Sequence, residues 1–209
     1  MMKKISDSTI SRMSTYYRTL TNLIEKNIET VSSDKIAEIN SITAAQVRKD
    51  LSFFGTFGKR GLGYNTVNLR DQIADILGLK KQWNIALAGV GNIGKALIVY
   101  PEFKKQGFYI KALFDNDPAK VGKEEHGLKI HHIDEVCTIV KNEKIEIAII
   151  AVPAKFAQEV IDLFINCGVR AFLNFAQLTI KVPDNVMVKN ENMSVELEAL
   201  SYYLTKDSK

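Results

Sequence analysis

Residues 84–94 read NIALAGVGNIG, an apolar run that opens into glycines at positions 89, 91 and 94. The stretch from Trp83 to Ala88 predicts a short buried strand, and Lys95 to Tyr100 continues as a helix. Between them the glycines have separate tasks. Gly89 makes the strand-to-helix turn, Gly91 lets a pyrophosphate approach the backbone, and Gly94 permits close helix packing. Gly89, Val90, Gly91, Asn92, Ile93 and Gly94 are therefore candidate dinucleotide-binding residues. The pyrophosphate would sit where free N–H groups and the helix dipole favour negative charge. A lone G-x-G-x-x-G is a weak signal. Here a strand precedes it, a helix follows, and a second strand, Ile110 to Asp115, ends in an acid about 20 residues on.

Working outward, Asp115 is placed to accept hydrogen bonds from an adenosine ribose and to repel a 2′-phosphate, which favours NAD(H) over NADP(H). Residues 145–152 form a near-continuous apolar run followed by Pro153, the pattern of a buried parallel strand. Residues 171–175 predict another, with a helix over 156–165 between them. This alternation predicts an α/β fold with a Rossmann-like, doubly wound parallel sheet.

The N-terminal third reads differently. Ile10, Met13, Tyr17, Leu20 and Ile24 recur at helical spacing and predict one amphipathic helix. A second is expected over 33–39, opened by a serine cap and with Ile36 and Ile39 inward. After a turn at 40–42, Thr43 and Gln46 match a capping box for a third helix that buries Val47, Leu51 and Phe54. Arg48 and Lys49 are then rotated off the core stripe near the helix start, which describes a helix-turn-helix. Residues 55–64 follow with four of the chain's glycines around Lys59 and Arg60, a basic ribbon like the wing of a winged helix. Arg48 and Lys49 are candidates for base edges, Lys59 and Arg60 for backbone or minor groove, and Arg12 and Arg18 for further DNA contacts.

Charge agrees with this division. Residues 1–82 carry 13 Lys and Arg against 8 Asp and Glu, and the remainder carries 15 against 16, so the excess positive charge of the whole chain belongs to the first part. No run is long and apolar enough for a membrane span, and the first residues lack the apolar core of a signal peptide, so a cytoplasmic protein is expected. Cys137 and Cys167 show no CxxC spacing and are expected to be reduced core residues. Neither a catalytic constellation nor a metal site is expected, since His131 and His132 are adjacent in a strand and point to opposite faces. Met193, Leu197, Leu200 and Leu204 mark one stripe of a C-terminal helix that could pack on its own domain or on another chain.

The order of Y-Y-R (16–18), V-R-K-D-L-S-F-F-G (47–55), G-K-R-G-L-G-Y (58–64), G-V-G-N-I-G (89–94), F-D-N-D-P (114–118), A-V-P (151–153) and L-N-F (173–175) closely resembles the Rex family of bacterial redox-sensing repressors. The resemblance implies a homodimer on palindromic operator DNA, with winged helices over 1–82, a Rossmann core over 83–190 that binds NADH and NAD⁺, and a domain-swapped helix over 191–209. It also implies that NADH closes the dimer and releases the operator. It adds Val152 and Pro153 to the dinucleotide site and places Tyr100 and Arg18 where some members link nicotinamide to the DNA-binding domain. The chain departs from the family pattern at Asn192, where an Asp is common, at Gln177, where a Pro is common, and near Ser6, where a Pro is usual. The alternatives are a small NAD-dependent oxidoreductase with an N-terminal dimerisation domain, and a module for another adenine nucleotide such as coenzyme A.

Overall fold

The computed structural model describes residues 5–58 and 62–206, in two units divided after Lys81. In the first unit α1 (Asp7–Glu25) leads to β1 (Thr30–Val31), α2 (Ser33–Ile39), α3 (Ala44–Ser52), β2 (Tyr64–Asn65) and α4 (Thr66–Ile76). Each helix opens on a side-chain cap. Ser6, Ser32, Thr43 and Asn65 accept the N–H groups of Thr9, Lys35, Gln46 and Asn68, supplying acceptors the helices cannot supply themselves. β1 and β2 pair antiparallel, with Val31 opposite Tyr64, and form the base of the wing. The expected ribbon tip, Lys59 and Arg60, lies outside the described residues.

α1 buries Met13, Tyr16, Leu20 and Leu23 against Ile36, Val47, Leu51, Leu69 and Ile73. The helix is where the spacing predicts it, but its inward face is rotated. Ile10 is exposed, and Tyr16 rather than Tyr17 is fully buried, because the Tyr16 hydroxyl finds a partner on α3. Ile39 is likewise exposed, and Ala37 takes the inward place beside Ile36. The α2–α3 turn is held by Asn40, whose amide donates to the Ile36 carbonyl and whose oxygen accepts from Thr19 on α1.

The second unit holds β3 (Trp83–Ala88), α5 (Asn92–Ile98), α6 (Pro101–Lys105), β4 (Phe108–Asp115), β5 (Glu124–Glu125), β6 (Leu128–His132), α7 (Val136–Asn142), β7 (Ile147–Ile150), α8 (Ala154–Asn166), β8 (Ala171–Asn174), β9 (Met187–Asn190) and α9 (Met193–Lys206). Its sheet runs β5-β6-β4-β3-β7-β8-β9, parallel throughout except for β5. Leaving β5 aside and counting from β3, the order is that of a doubly wound dinucleotide-binding sheet, reversing between β3 and β7.

Alternation along the central strands divides their side chains between the two faces, with Phe114 and Ile150 joining the alanines on one of them. Ala86, Ala88, Ala112 and Ala148 face the layer containing Val136, Val140, Ala157, Val160, Ile161 and Phe164. Ile85, Leu87, Leu113 and Ile149 face Leu97, Ile98 and Phe103. Both faces are covered, so the strands read as continuous apolar runs. Each large side chain buried in these layers contributes about 1.5–3 kcal/mol.

One expectation is overturned here. Cys137 and Cys167 are not separate reduced thiols but a disulfide, with their Cα atoms 4.8 Å apart. The start of α7 and the end of α8 lie side by side, a proximity that a separation of 30 residues conceals in the sequence.

Candidate functional site

The carboxyl ends of β3, β4 and β7 form a cleft of about 700 Å³. Three backbone hydrogen bonds shape its floor. The Gly89 N–H donates to the Phe114 carbonyl, the Ala151 N–H to Ala88, and the Phe175 N–H to Ile150. Gly89 has φ of +96°, and a Cβ there would lie 2.5 Å from the Ala151 oxygen. A Cβ on Gly94 would collide with the Gly89 oxygen. A Cβ on Gly91 would meet nothing within 4 Å, so its backbone faces open cleft. Two glycines are needed for packing and the third leaves room for a ligand. Gly91, Asn92 and Ile93 line the cleft where α5 begins, and the first N–H groups of a helix have no intrahelical acceptor.

Asp115 closes the other end. Its carboxylate accepts from the Val90 N–H at 2.9 Å, the Asp117 N–H at 3.0 Å and Lys120 Nζ at 2.9 Å. Burial works to raise its pKa. The Asp117 N–H, Lys120 and the Val90 N–H outweigh burial and hold the carboxyl below its ordinary value. The group is therefore ionised at neutral pH, as an acceptor for ribose hydroxyls must be. Through Val90 it also fastens the glycine loop to the end of β4. Lys120, which the sequence reading does not single out, enters because residues 117–120 fold into a turn around the Asp117 side chain. Phe114, Ile133, Val152, Pro153, Phe156 and Val160 supply apolar walls. A backbone cradle suited to an anion, a charged acceptor at one end and apolar walls fit a nucleotide ligand.

The expected site residues Gly89, Gly91, Asn92, Ile93, Asp115, Val152 and Pro153 all line this cleft, and Val90 and Gly94 support it from beneath. Tyr100 is not among its lining residues. It caps α6 and borders a second cavity of about 480 Å³ with Phe103, Phe108, His126 and Leu128. No group of His, Cys, Asp or Glu that could hold a metal ion occurs among the described residues.

In the N-terminal unit α3 carries Arg48 and Lys49 on its exposed face, with Arg48 Nη1 donating to Ser33 Oγ of α2 at 2.8 Å. The same helix turns Asp50 inward, fully buried. Asp50 accepts from Arg12 Nε at 2.6 Å and Nη2 at 2.7 Å, from Tyr16 Oη at 2.8 Å, and from Gln46 Nε2 at 2.8 Å. With Thr9 Oγ1 donating more weakly at 3.5 Å, these donors saturate the lone-pair sites of an ionised carboxylate. Burial raises the Asp50 pKa, and Arg12, Tyr16 and Gln46 together bring it below the ordinary value. Burial, reinforced by the Asp50 hydrogen bond, in turn pushes the Tyr16 phenol well up. The expected capping box is accordingly half made. Thr43 caps the Gln46 N–H, while the Gln46 side chain goes to Asp50 rather than back to the cap. Arg12 is engaged with Asp50 inside its own unit, whereas Arg18 is exposed on α1.

A helix-turn-helix with a wing and a Rossmann cleft on one chain define a ligand-responsive, DNA-binding regulator. A protein of Carboxydothermus hydrogenoformans named as the redox-sensing transcriptional repressor Rex is 46% identical over 204 residues, covering 98% of each chain. The chain belongs to the Rex family of redox-sensing transcriptional repressors. Family models described as "CoA binding domain" and "Putative DNA-binding protein N-terminus" match residues 80–178 and 4–52. Among solved structures, RSP, a Rex-family repressor, in complex with NAD⁺ and operator DNA aligns with a TM-score of 0.92 at 34% identity, covering 99% of this chain and 95% of its own. RSP in complex with NADH aligns at 0.89 and 32%, covering 99% and 97%. The curated relatives are named as repressors rather than enzymes.

Proposed function

We propose that this chain binds palindromic operator DNA as a cytoplasmic homodimer and is released from it by NADH, with NAD⁺ leaving the operator bound. Arg48 and Lys49 of α3 read base edges, Lys59 and Arg60 of the wing hold the backbone or minor groove, and Arg18 contributes a phosphate contact. Arg12, tied to Asp50, serves DNA by fixing the attitude of α3 more than by reaching for phosphate. The loop Gly89–Gly94 cradles the pyrophosphate, Asp115 accepts from the adenosine ribose, Val152 and Pro153 border the dinucleotide, and Tyr100 answers to the nicotinamide end. Residues 1–82, 83–190 and 191–209 act as DNA reader, sensor and exchanged dimerisation helix. The last reading is supported by the exposed apolar stripe Met193, Leu197, Leu200 and Leu204.

The observation that carries this proposal is the pairing, on one chain, of a basic exposed face on α3 with a glycine-loop cleft ending in an ionised Asp115. Thermodynamics then sets a strict requirement. NADH must bind the DNA-competent and released shapes unequally, and operator must weaken NADH binding by the same factor. Fluorescence anisotropy of a labelled palindromic operator, titrated with protein alone, with NAD⁺ and with NADH, tests it. Release by NADH and not by NAD⁺ is the expected result. Tight binding indifferent to both would refute dinucleotide control.

A further inference from the structure

Two walls of the dinucleotide cleft are joined by a covalent bond outside it. Ile133, three residues before α7, lines one side, and Phe156 and Val160 of α8 line another. Cys137 is the second residue of α7 and Cys167 caps the end of α8, and the two are bonded to each other. Phe164, one turn before Cys167, packs edge-on against Phe114 with ring centroids 5.6 Å apart, and Phe114 itself lines the cleft. The bond is thus one short helix segment away from the cleft on either side.

Its surroundings are not those of an inert staple. Cys137 is exposed and Cys167 is half-buried, so both oxidants and reductants can reach the pair. A repressor works beside the chromosome, where glutathione and thioredoxin keep thiols reduced, and the disulfides found there are mostly transient and redox-sensing. On the reading of the cleft as the NADH site, we propose that Cys137 and Cys167 form a reversible thiol–disulfide switch. It is a redox-modification site that gives the dinucleotide cleft a second redox input, with a hydroperoxide as the oxidant.

The chemistry balances without further reactants. With hydrogen peroxide, the Cys137 thiolate attacks one oxygen, the O–O bond breaks and Cys137 becomes a sulfenic acid, while the expelled hydroxide takes up the proton that the Cys137 thiol gave up and leaves as one water. The Cys167 thiolate then displaces hydroxide from that sulfur. The S–S bond forms, the S–O bond breaks, and the hydroxide takes up the thiol proton as a second water. Two electrons pass from the sulfurs to the peroxide. A dithiol reverses the process by exchange.

Oxidation holds the α7 and α8 walls at one separation. Reduction frees them, and a ligand must then order them as it binds, which weakens affinity. The test uses the full-length protein, reduced without air and split into two portions, one treated with hydrogen peroxide. Alkylation followed by mass spectrometry counts free thiols, and fluorescence titration measures NADH binding. Both thiols are expected to alkylate before peroxide and neither after it, with dithiothreitol restoring both. NADH is expected to bind the oxidised form about threefold or more tightly than the reduced form. Cys137→Ser and Cys167→Ser should each bind NADH like the reduced protein and ignore peroxide. Thiols that stay alkylatable after peroxide, a disulfide that resists dithiothreitol, or an NADH affinity equal in both forms would each overturn the switch. If NADH bound neither form, the dinucleotide reading would fall with the coupling, while the thiol count would still decide whether the pair is reversible.

Discussion

The two units hold their candidate surfaces, the exposed face of α3 and the glycine-loop cleft, with opposite materials. In the N-terminal unit α3, with Arg48 and Lys49 on its exposed face, is fixed by a polar anchor. Asp50, on the inward face of α3, is locked by Arg12 and Tyr16 of α1 and by Gln46 of its own helix. In the second unit the cleft at the carboxyl ends of β3, β4 and β7 is fixed by the absence of side chains, with Gly89 and Gly94 letting backbone meet backbone. The first arrangement is costly to break at one atom, because a buried charge left alone has no solvent to replace its partner. The second is intolerant of any added atom. Orientation is held by charge in one unit and by vacancy in the other.

The largest effect should follow from breaking the polar anchor. Removing one partner of a buried charge pair costs about 3–5 kcal/mol. Arg12→Ala, which leaves the fully buried Asp50 carboxylate without its counter-charge, should lower the unfolding free energy of the N-terminal unit by about that amount, read by thermal or urea denaturation. Operator binding should fall with it while NADH binding is kept; a parallel loss of NADH affinity would break the comparison. Next comes the glycine pair. Gly94→Ala should destabilise the second unit by about 1–3 kcal/mol through overpacking against the Gly89 carbonyl. Gly91→Val should fold normally, since a Cβ there meets nothing. Its side chain should instead displace the pyrophosphate, weakening NADH by a factor of roughly ten or more and leaving repression constitutive, as calorimetry and operator release by NADH would show.

Arg48→Ala and Lys49→Ala should each cost about 1–3 kcal/mol of operator affinity where they meet a base edge, and less if they meet only phosphate. Both should leave NADH affinity unchanged; Lys49→Ala should leave stability unchanged as well, while Arg48→Ala also loses its hydrogen bond to Ser33 Oγ, about 0.5–1.5 kcal/mol. The smallest effect is acid sensitivity. The Asp50 carboxyl titrates below its ordinary value of 3.8 in the folded state. Its stabilisation is therefore fully present above that value and is lost as pH falls through the lowered one. Unfolding of the N-terminal unit followed by circular dichroism should show this loss in strong acid, and Asp50→Asn should flatten it.

These contrasts also explain what was legible in the sequence. The borders of β3 and the glycine loop could be read because local sequence determines them: an apolar run stops at the first residue that must take positive φ, Gly89. α8 was equally plain from one continuous stripe, Ala157, Val160, Ile161 and Phe164. The face of α1 was misread because Tyr16 and Asp50 are 34 residues apart, and an acid on a basic helix looks solvated until its partners are known. No element was assigned to Thr66–Ile76, although Asn65 followed by Leu69 and Ile73 is a capped helical pattern. In the cleft, Asp115 was identifiable as an acid at the end of a strand. Lys120 was not, since only the turn over 117–120 brings it back. The disulfide was hidden because its partners are separated by the intervening strand β7.

The antiparallel strand β5 closes one side of the seven-stranded sheet. It is two residues long, both glutamates, and lies outermost on the sheet beside β6. Glu125 is tied back to Lys95 of α5 at 2.7 Å. An exposed parallel edge would offer a foreign strand a row of unpaired amides, the template from which fibres grow. A stub of two acidic residues, running the wrong way and turned back on its own helix, ends that row. At that side the sheet offers only a two-residue, acidic edge to any strand that would extend it.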